Sequence, residues 1–251
     1  MKTIDLNCDM GESFGAWKMG ADAEVMPLVS SANIACGFHA GDGATIRNTI
    51  DLALEHGVAI GAHPGLPDLQ GFGRRAMKIT PQEMYDLVLY QAGALQAFAR
   101  VAGARLHHVK CHGALYNTAA RDEALSDAMA RAVQDLDGEV MLYALAGSTM
   151  AAVAQRRGLR VVAEGFADRG YRDDGTLAPR GTPQAMIEDE TRAVMQALAM
   201  VREGSVISVT GRSVAVVPDT LCLHGDQPGA VGFARALRSA FAAADIEVGA
   251  P

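Results

Sequence analysis

Two rhythms alternate along the chain. Short runs of small and apolar residues stop at a glycine or a polar residue, and each gives way to a longer stretch with apolar residues at helical spacing. Ala32-Asn33-Ile34-Ala35-Cys36 reads as a buried strand that breaks at Gly37 and delivers His39 and Asp42 around Gly41 and Gly43. An amphipathic helix is predicted from about Thr45 to His56, with Ile46, Ile50, Ala53 and Leu54 on one face and Gly57 closing it.

The same plan recurs. Thr3 to Cys8 alternates like a strand and runs into Asp9-Met10-Gly11-Glu12, and Asp22 to Leu28 reads as a short helix. Val58 to Ala62 is a strand that delivers His63 ahead of Pro64. The Gly- and Pro-rich loop from Gly65 to Lys78 suits a lid or an anion-binding cover, and it carries Arg74 and Arg75. Thr80-Pro81-Gln82-Glu83 is a capping box that opens a long helix. His107 to His112 is the next strand, followed by a helix over Glu123 to Leu136, a strand over Val140 to Leu145, a helix from Gly147-Ser148 and a strand over Leu159 to Ala163. A second long helix is expected from Thr182-Pro183, then two short strands around Gly211-Arg212. A last strand, Leu221-Cys222-Leu223, delivers His224 and Asp226, and a helix from about Pro228 to Ala244 follows.

Strands and helices alternate over residues 1–251 with no linker or composition break, so one domain is expected. Right-handed crossovers make a parallel sheet, and about seven strand–helix units favour a distorted α/β TIM-like barrel over an open doubly wound sheet.

Composition narrows the class. Nearly half the residues are hydrophobic, mostly small, and aromatics are few, which fits helix-on-sheet packing and not disorder. A net charge of −7 without a Lys/Arg cluster gives no footprint for nucleic acid or an anionic membrane. No apolar run spans a bilayer and no signal sequence opens the chain, so a cytoplasmic protein is expected. Cys8, Cys36, Cys111 and Cys222 show no C-x-x-C spacing and read as buried free thiols.

Chemistry gathers where strands end. Asn7, Asp9 and Glu12; His39 and Asp42; His63; Lys110 and His112; Glu164, Asp168 and Arg169; His224 and Asp226 would converge on one rim of a parallel barrel, where active sites lie. Asp9, His39 and His63 suit a two-histidine, one-carboxylate metal site, or equally a metal-free network of acids and bases. Lys110 inside a strand must meet an anion, either a bound carboxylate or phosphate or a local acid such as Glu164. Arg74 and Arg75 suit bidentate recognition of the same anions. The chain has no P-loop, no dinucleotide fingerprint and no serine-hydrolase elbow.

Five blocks together resemble the LamB/YcsF family across essentially the whole chain: Asp5 to Glu12, Ser30 to Asp42, Gly61 to Arg75, Val109 to Asn117 and Glu164 to Arg169. The resemblance implies a cytoplasmic enzyme component that works with two partners, subunits B and C, to open 5-oxoproline to glutamate using ATP, whose binding site it leaves to this chain or to the partners. It also implies a barrel akin to the metal-dependent carbohydrate deacetylases, for which a divalent metal is an open expectation. In that frame the catalytic candidates are Asp9, His39, His63, Lys110, His112 and Glu164. The substrate-binding candidates are Asn7, Glu12, Asp42, Arg74, Arg75, Asp168, Arg169 and His224. Two rival readings are a stand-alone metal-dependent amide or sugar deacetylase and a non-catalytic component that binds a small acid.

Overall fold

The computed structural model describes residues 2–225 and 229–251. Asp226, Pro228 and the side chain of His224, expected on the rim and in the last helix, lie outside the described residues.

The strands, in chain order, are β1 (Lys2–Met10), β2 (Ser31–Ala35), β3 (Ala59–His63), β4 (His108–Val109), β5 (Met141–Leu145), β6 (Val161–Phe166), β7 (Ser205–Ile207), β8 (Ser213–Ala215), β9 (Thr220–His224) and β10 (Ile246–Val248). All pairings of β1 through β6 and β9 are parallel, and β1 pairs with both β2 and β9, which closes a barrel of seven strands. Strand β10 adds to the first residues of β1, outside the closed ring. The expected pair of short strands is the antiparallel β7–β8 hairpin.

Helices α1 (Asp22–Val25), α2 (Gly43–His56), α3 (Pro81–Val101), α4 (Gly113–Ala119), α5 (Glu123–Leu136), α6 (Thr149–Arg156), α7 (Glu190–Glu203) and α8 (Ala230–Ala243) accompany the barrel. Most start where a side chain accepts a bond from an orphan amide of the first turn. Asp42, Asp122, Ser148 and Asp189 do so for α2, α5, α6 and α7, and the Thr80–Glu83 capping box forms as expected. No helix among the described residues is long and apolar enough to cross a membrane.

Helix α7 starts at Glu190 and not at Thr182. The Thr182 hydroxyl donates to the Pro179 carbonyl, and Ile187 N–H donates to the Asp168 carbonyl at 2.8 Å. Residues 179–188 thus spend their backbone bonds covering the loop after β6, and Asp189 supplies the cap. Ladder pairing of β4 is shorter than the predicted strand. The Lys110 and His112 amides nonetheless donate to Ala62 and Pro64, which carries both residues along the top of β3.

Period-two alternation sorts β1 into two faces. Leu6, Cys8 and Met10 belong to the apolar core, whereas Asp5, Asn7 and Asp9 alternate with them and bond to polar groups of neighbouring strands. All four cysteines are buried and unpaired. Barrel interiors are ordinarily filled by branched aliphatic side chains. This one is instead filled by hydrogen-bonded polar groups. Near its lower end the Asp5 carboxylate accepts from the hydroxyls of Ser30, Ser31, Tyr143 and Thr220. Above it, the His108 ring stacks on Tyr143 and donates from Nε2 to Asn33 Oδ1 at 2.7 Å. Gly61 has no side chain for a plain reason, since a Cβ there would run into the His108 ring.

Burial holds His108 well below the ordinary histidine range, so the ring stays neutral in the folded protein. The unfolded chain takes up that proton near pH 6.5, so it binds more protons than the folded state below this pH, and stability must fall as pH falls through it. Urea midpoints are expected to drop between pH 7.5 and 5.5, and His108→Gln to show a shallower slope over that window. An unchanged slope would mean that His108 is charged in the native state.

Candidate active site

Lys110 stands at the centre. Its side chain is 3 % exposed, and Nζ lies 2.9 Å from Asp9 Oδ1, 2.9 Å from Glu164 Oε1, 3.1 Å from Asn7 Oδ1 and 3.0 Å from Cys222 Sγ. Burial alone would push this ammonium toward neutrality, but neighbouring negative charge, led by Asp9, outweighs it and leaves the group well above the ordinary lysine range. An ammonium has three protons, and four protein acceptors already surround it. Of the two anions expected for Lys110, the structure supplies local acids.

Every amide in this network has one orientation. Asn33 Nδ2 donates to Asn7 Oδ1 and Asp9 Oδ1, so its oxygen is the acceptor of the His108 proton. Asn7 Nδ2 donates to Glu164 Oε1 and Thr220 Oγ1. Glu164 is fully buried and also accepts from the Tyr116 hydroxyl at 2.6 Å. Burial first, then the Glu164 charge, holds that phenol well above its usual range and therefore protonated. Glu164 is an acceptor in all these bonds. It anchors Lys110 at 2.9 Å.

Three histidines sit beside Asp9. His63 Nδ1 donates to the Lys110 carbonyl and His112 Nε2 to the Phe72 carbonyl, both at 2.7 Å, because a carbonyl can only accept. The inner nitrogens, His63 Nε2 and His112 Nδ1, then face each other at 3.0 Å. Two neutral rings set lone pair against lone pair across this gap, a geometry that a metal ion or a proton would bridge. Asp9 Oδ2 lies 3.2 Å from His63 Nε2. Burial pushes His112 down to about 3. Burial also holds His39 well below its ordinary value, and neither of its ring nitrogens makes a hydrogen bond among the described residues.

Donor atoms of Glu12, His39, His63 and His112 all lie within 4.8 Å of one another, a group that could hold a metal ion. Outer ring nitrogens tied to carbonyls are the usual support for metal-bound histidines. The His39 and His112 rings, however, stack at 3.8 Å with 3° between their planes. One ion can lie in the plane of either ring but not of both. The fit is therefore to Glu12, His63 and one of the stacked pair. Of the expected Asp9, His39 and His63, the group holds both histidines; Glu12 and His112 join them, and Asp9, whose Oδ1 bonds to Lys110 and Asn33, is outside it.

Other candidates fall in different places. Asp42 caps α2 through Thr45 N–H and also takes Gly15 N–H at 2.7 Å; these backbone donors hold it down at about 2. Arg75 is paired with Asp68 and its side chain is 65 % exposed, whereas neighbouring Arg74 turns inward and lines the pocket. Arg169 is buried, with Nε donating to the Ala185 carbonyl and Nη2 to that of Ala178. Asp168 is buried in the same loop. Asn33, Tyr116 and Cys222 were not foreseen. The strand position of Asn33, two residues after Ser31 in the register opposite Asp9, was the available signal.

A pocket of about 50 Å³ opens over this cluster, lined by Asp9, His63, Lys110, His112, Tyr116 and Arg169 among others. At 13 % exposure the Asp9 side chain is the most open member of the charged network, against 3 % for Lys110 and none for Glu164. A carboxylate and an imidazole in contact, held by a buried ammonium at the carboxyl ends of parallel barrel strands, define a (β/α)-barrel site suited to acid–base chemistry.

The profile of the LamB/YcsF family matches residues 4–251, and the chain belongs to that family. A protein of Bordetella pertussis, named as the A subunit of 5-oxoprolinase, is 61% identical over 237 residues, which cover 94% of each chain. The crystal structure of a lactam utilization protein from Thermus thermophilus superposes with a TM-score of 0.94 at 51% identity, over 100% of both chains. A family 4 carbohydrate esterase from Streptomyces lividans, at 10% identity and a TM-score of 0.50 over 99% of this chain and 92% of its own, shares the barrel fold alone.

Replacing Lys110 by Met would leave Asp9 and Glu164 without their counter-charge, at an expected cost of about 3–5 kcal/mol. Adding Glu164→Gln to that variant should recover part of the loss. Equilibrium urea unfolding of both variants measures it, and a Lys110→Met protein as stable as the parent would remove Lys110 from the centre of the network.

Proposed function

We propose that this chain is the A subunit of a 5-oxoprolinase, a cytoplasmic enzyme that opens the lactam of 5-oxoproline to glutamate with ATP and partner subunits B and C. The observation that carries this reading is the contact of Asp9 with His63 at the mouth of a polar barrel, in a chain 61% identical to a protein bearing that name. A lactam is a poor electrophile. Phosphorylating its oxygen activates the ring carbon, and with no P-loop in this sequence the phosphorylation is assigned to the partners.

In this mechanism a water in the inner pocket adds to the activated carbon while Asp9 takes its proton. His63 and His112 lie directly behind Asp9, which gives that proton a resting place and a route back. The ring carbon–nitrogen bond then breaks as the nitrogen receives the proton, leaving an acyl phosphate. A second water converts it to the carboxylate and inorganic phosphate. Asn7, Lys110 and Glu164 position Asp9. A divalent ion held by Glu12, His63 and either His39 or His112 would supply Lewis-acid polarisation of a carbonyl or of the attacking water.

Glutamate release from 5-oxoproline and ATP tests the reading with the chain alone, the partners alone and all of them together. Activity is expected only in the full mixture. His63→Ala is expected to lower kcat by about 10²–10⁴-fold, the usual range for loss of an acid–base group, whereas Arg75→Ala, at an exposed pair, should leave it near the parent value. Converging metal donors favour a second reading, a stand-alone amide hydrolase. ATP-independent, chelator-sensitive hydrolysis by the chain alone would select it.

A further inference from the structure

Next to the Asp9–His63 centre lies a larger cavity of about 660 Å³, and its charge is the notable feature. Arg74, Arg121, Arg169 and Arg180 line it, with Asn117 and a single acid among the described residues, Asp122. That acid is engaged, since its carboxylate accepts Leu125 N–H at 3.0 Å as the cap of α5. Arg74, Asn117, Arg169 and Arg180 also line the inner pocket, so the two spaces form one passage.

The pocket over Asp9, at about 50 Å³, is the narrow end of this passage, and the arginines line its wide end. Arg169 is the built element of this wall: it is 5 % exposed, and its hydrogen bonds go to two backbone carbonyls that fix its fork. Burial, and next the charge of Arg180, push its guanidinium down to about 10, while the Asp168 carboxyl acts in the opposite direction. Guanidiniums gathered along one wall suit a ligand carrying a phosphoryl group, whose oxygens accept bidentate bonds.

We propose that the vestibule formed by Arg74, Arg121, Arg169 and Arg180 binds the phosphoryl group of a small acid phosphorylated elsewhere, so that this chain consumes the product of a phosphotransfer reaction and binds no nucleotide itself. The substrate class rests on the function proposed above; the anion subsite rests on the cavity alone.

Calorimetric titration of the isolated chain at about 0.15 M salt, where diffuse attraction is screened, separates the two. Inorganic phosphate and pyrophosphate are expected to bind saturably. Arg121→Ala and Arg180→Ala should each weaken them at least tenfold, while Arg156→Ala, on the outer face of α6, should not. Adenosine diphosphate and triphosphate should bind no more tightly than pyrophosphate. Absence of saturable binding, or equal affinity in the Arg121 and Arg180 variants, overturns the subsite. Tenfold tighter binding of the nucleotides overturns the assignment to a phosphorylated small acid. Phosphate binding that depends on these arginines, beside a full mixture that releases no glutamate, would uphold the subsite and overturn the 5-oxoproline reading.

Discussion

An ammonium ion inside a protein is stable only if fixed negative charge replaces the water it has lost. Lys110 meets that condition with Asp9 on one side and Glu164 on the other, and both acids sit where they do because of it. The consequences spread outward through hydrogen-bond direction. Asn7 must turn its oxygen toward Lys110, which points its amide at Glu164 and Thr220. Asn33 must give both protons to Asn7 and Asp9, which leaves its oxygen for His108. A barrel interior of aliphatic side chains would have no such directionality. Here one buried cation sets the orientation of groups on several strands and strand ends.

The arrangement also sets the state of the site. Two carboxyl groups share one ammonium, and the inner nitrogens of His63 and His112 face each other beside them in a gap that a proton or metal ion would bridge. Asp9 joins the two halves, since one oxygen faces Lys110 and the other His63. It is therefore held from two sides and is the most open carboxylate around Lys110. Rigid support behind an accessible face is what keeps a reacting group in position without reorganisation.

Much of this was legible in the order of residues. Period-two runs followed by helical periods specify strand–helix units, and polar residues at successive run ends specify a common rim, so the barrel and the meeting of Asp9, His63, Lys110, His112 and Glu164 could be read off. The start of α7 could not be. Thr182-Pro183 carries a good helix-start signal, yet residues 179–188 are drawn into covering the β6 loop, a tertiary demand with no local trace. Asp42 and Arg75 show a related limit. Asp42 lies between two glycines and Arg75 in a Gly-rich loop, and only the fold shows one capping a helix and the other paired with Asp68. The convergence of Glu12 and His112 with His39 and His63 depended on ångström distances that spacing does not encode.

The segment from Gly65 to Gly73 lies directly against the histidines. Buried Gln91 clamps the Gly65 backbone from both sides, and added side chains at Gly65 or Gly73 would strike the His39 or His112 rings. The Phe72 carbonyl decides which nitrogen of His112 carries its proton. This stretch of main chain is thus a working part of the acid–base apparatus, although it contributes no ionisable side chain to it. It cannot be swapped between homologous scaffolds or shortened as an independent module, because grafting a different backbone path there would reset the tautomer of a residue about forty positions away.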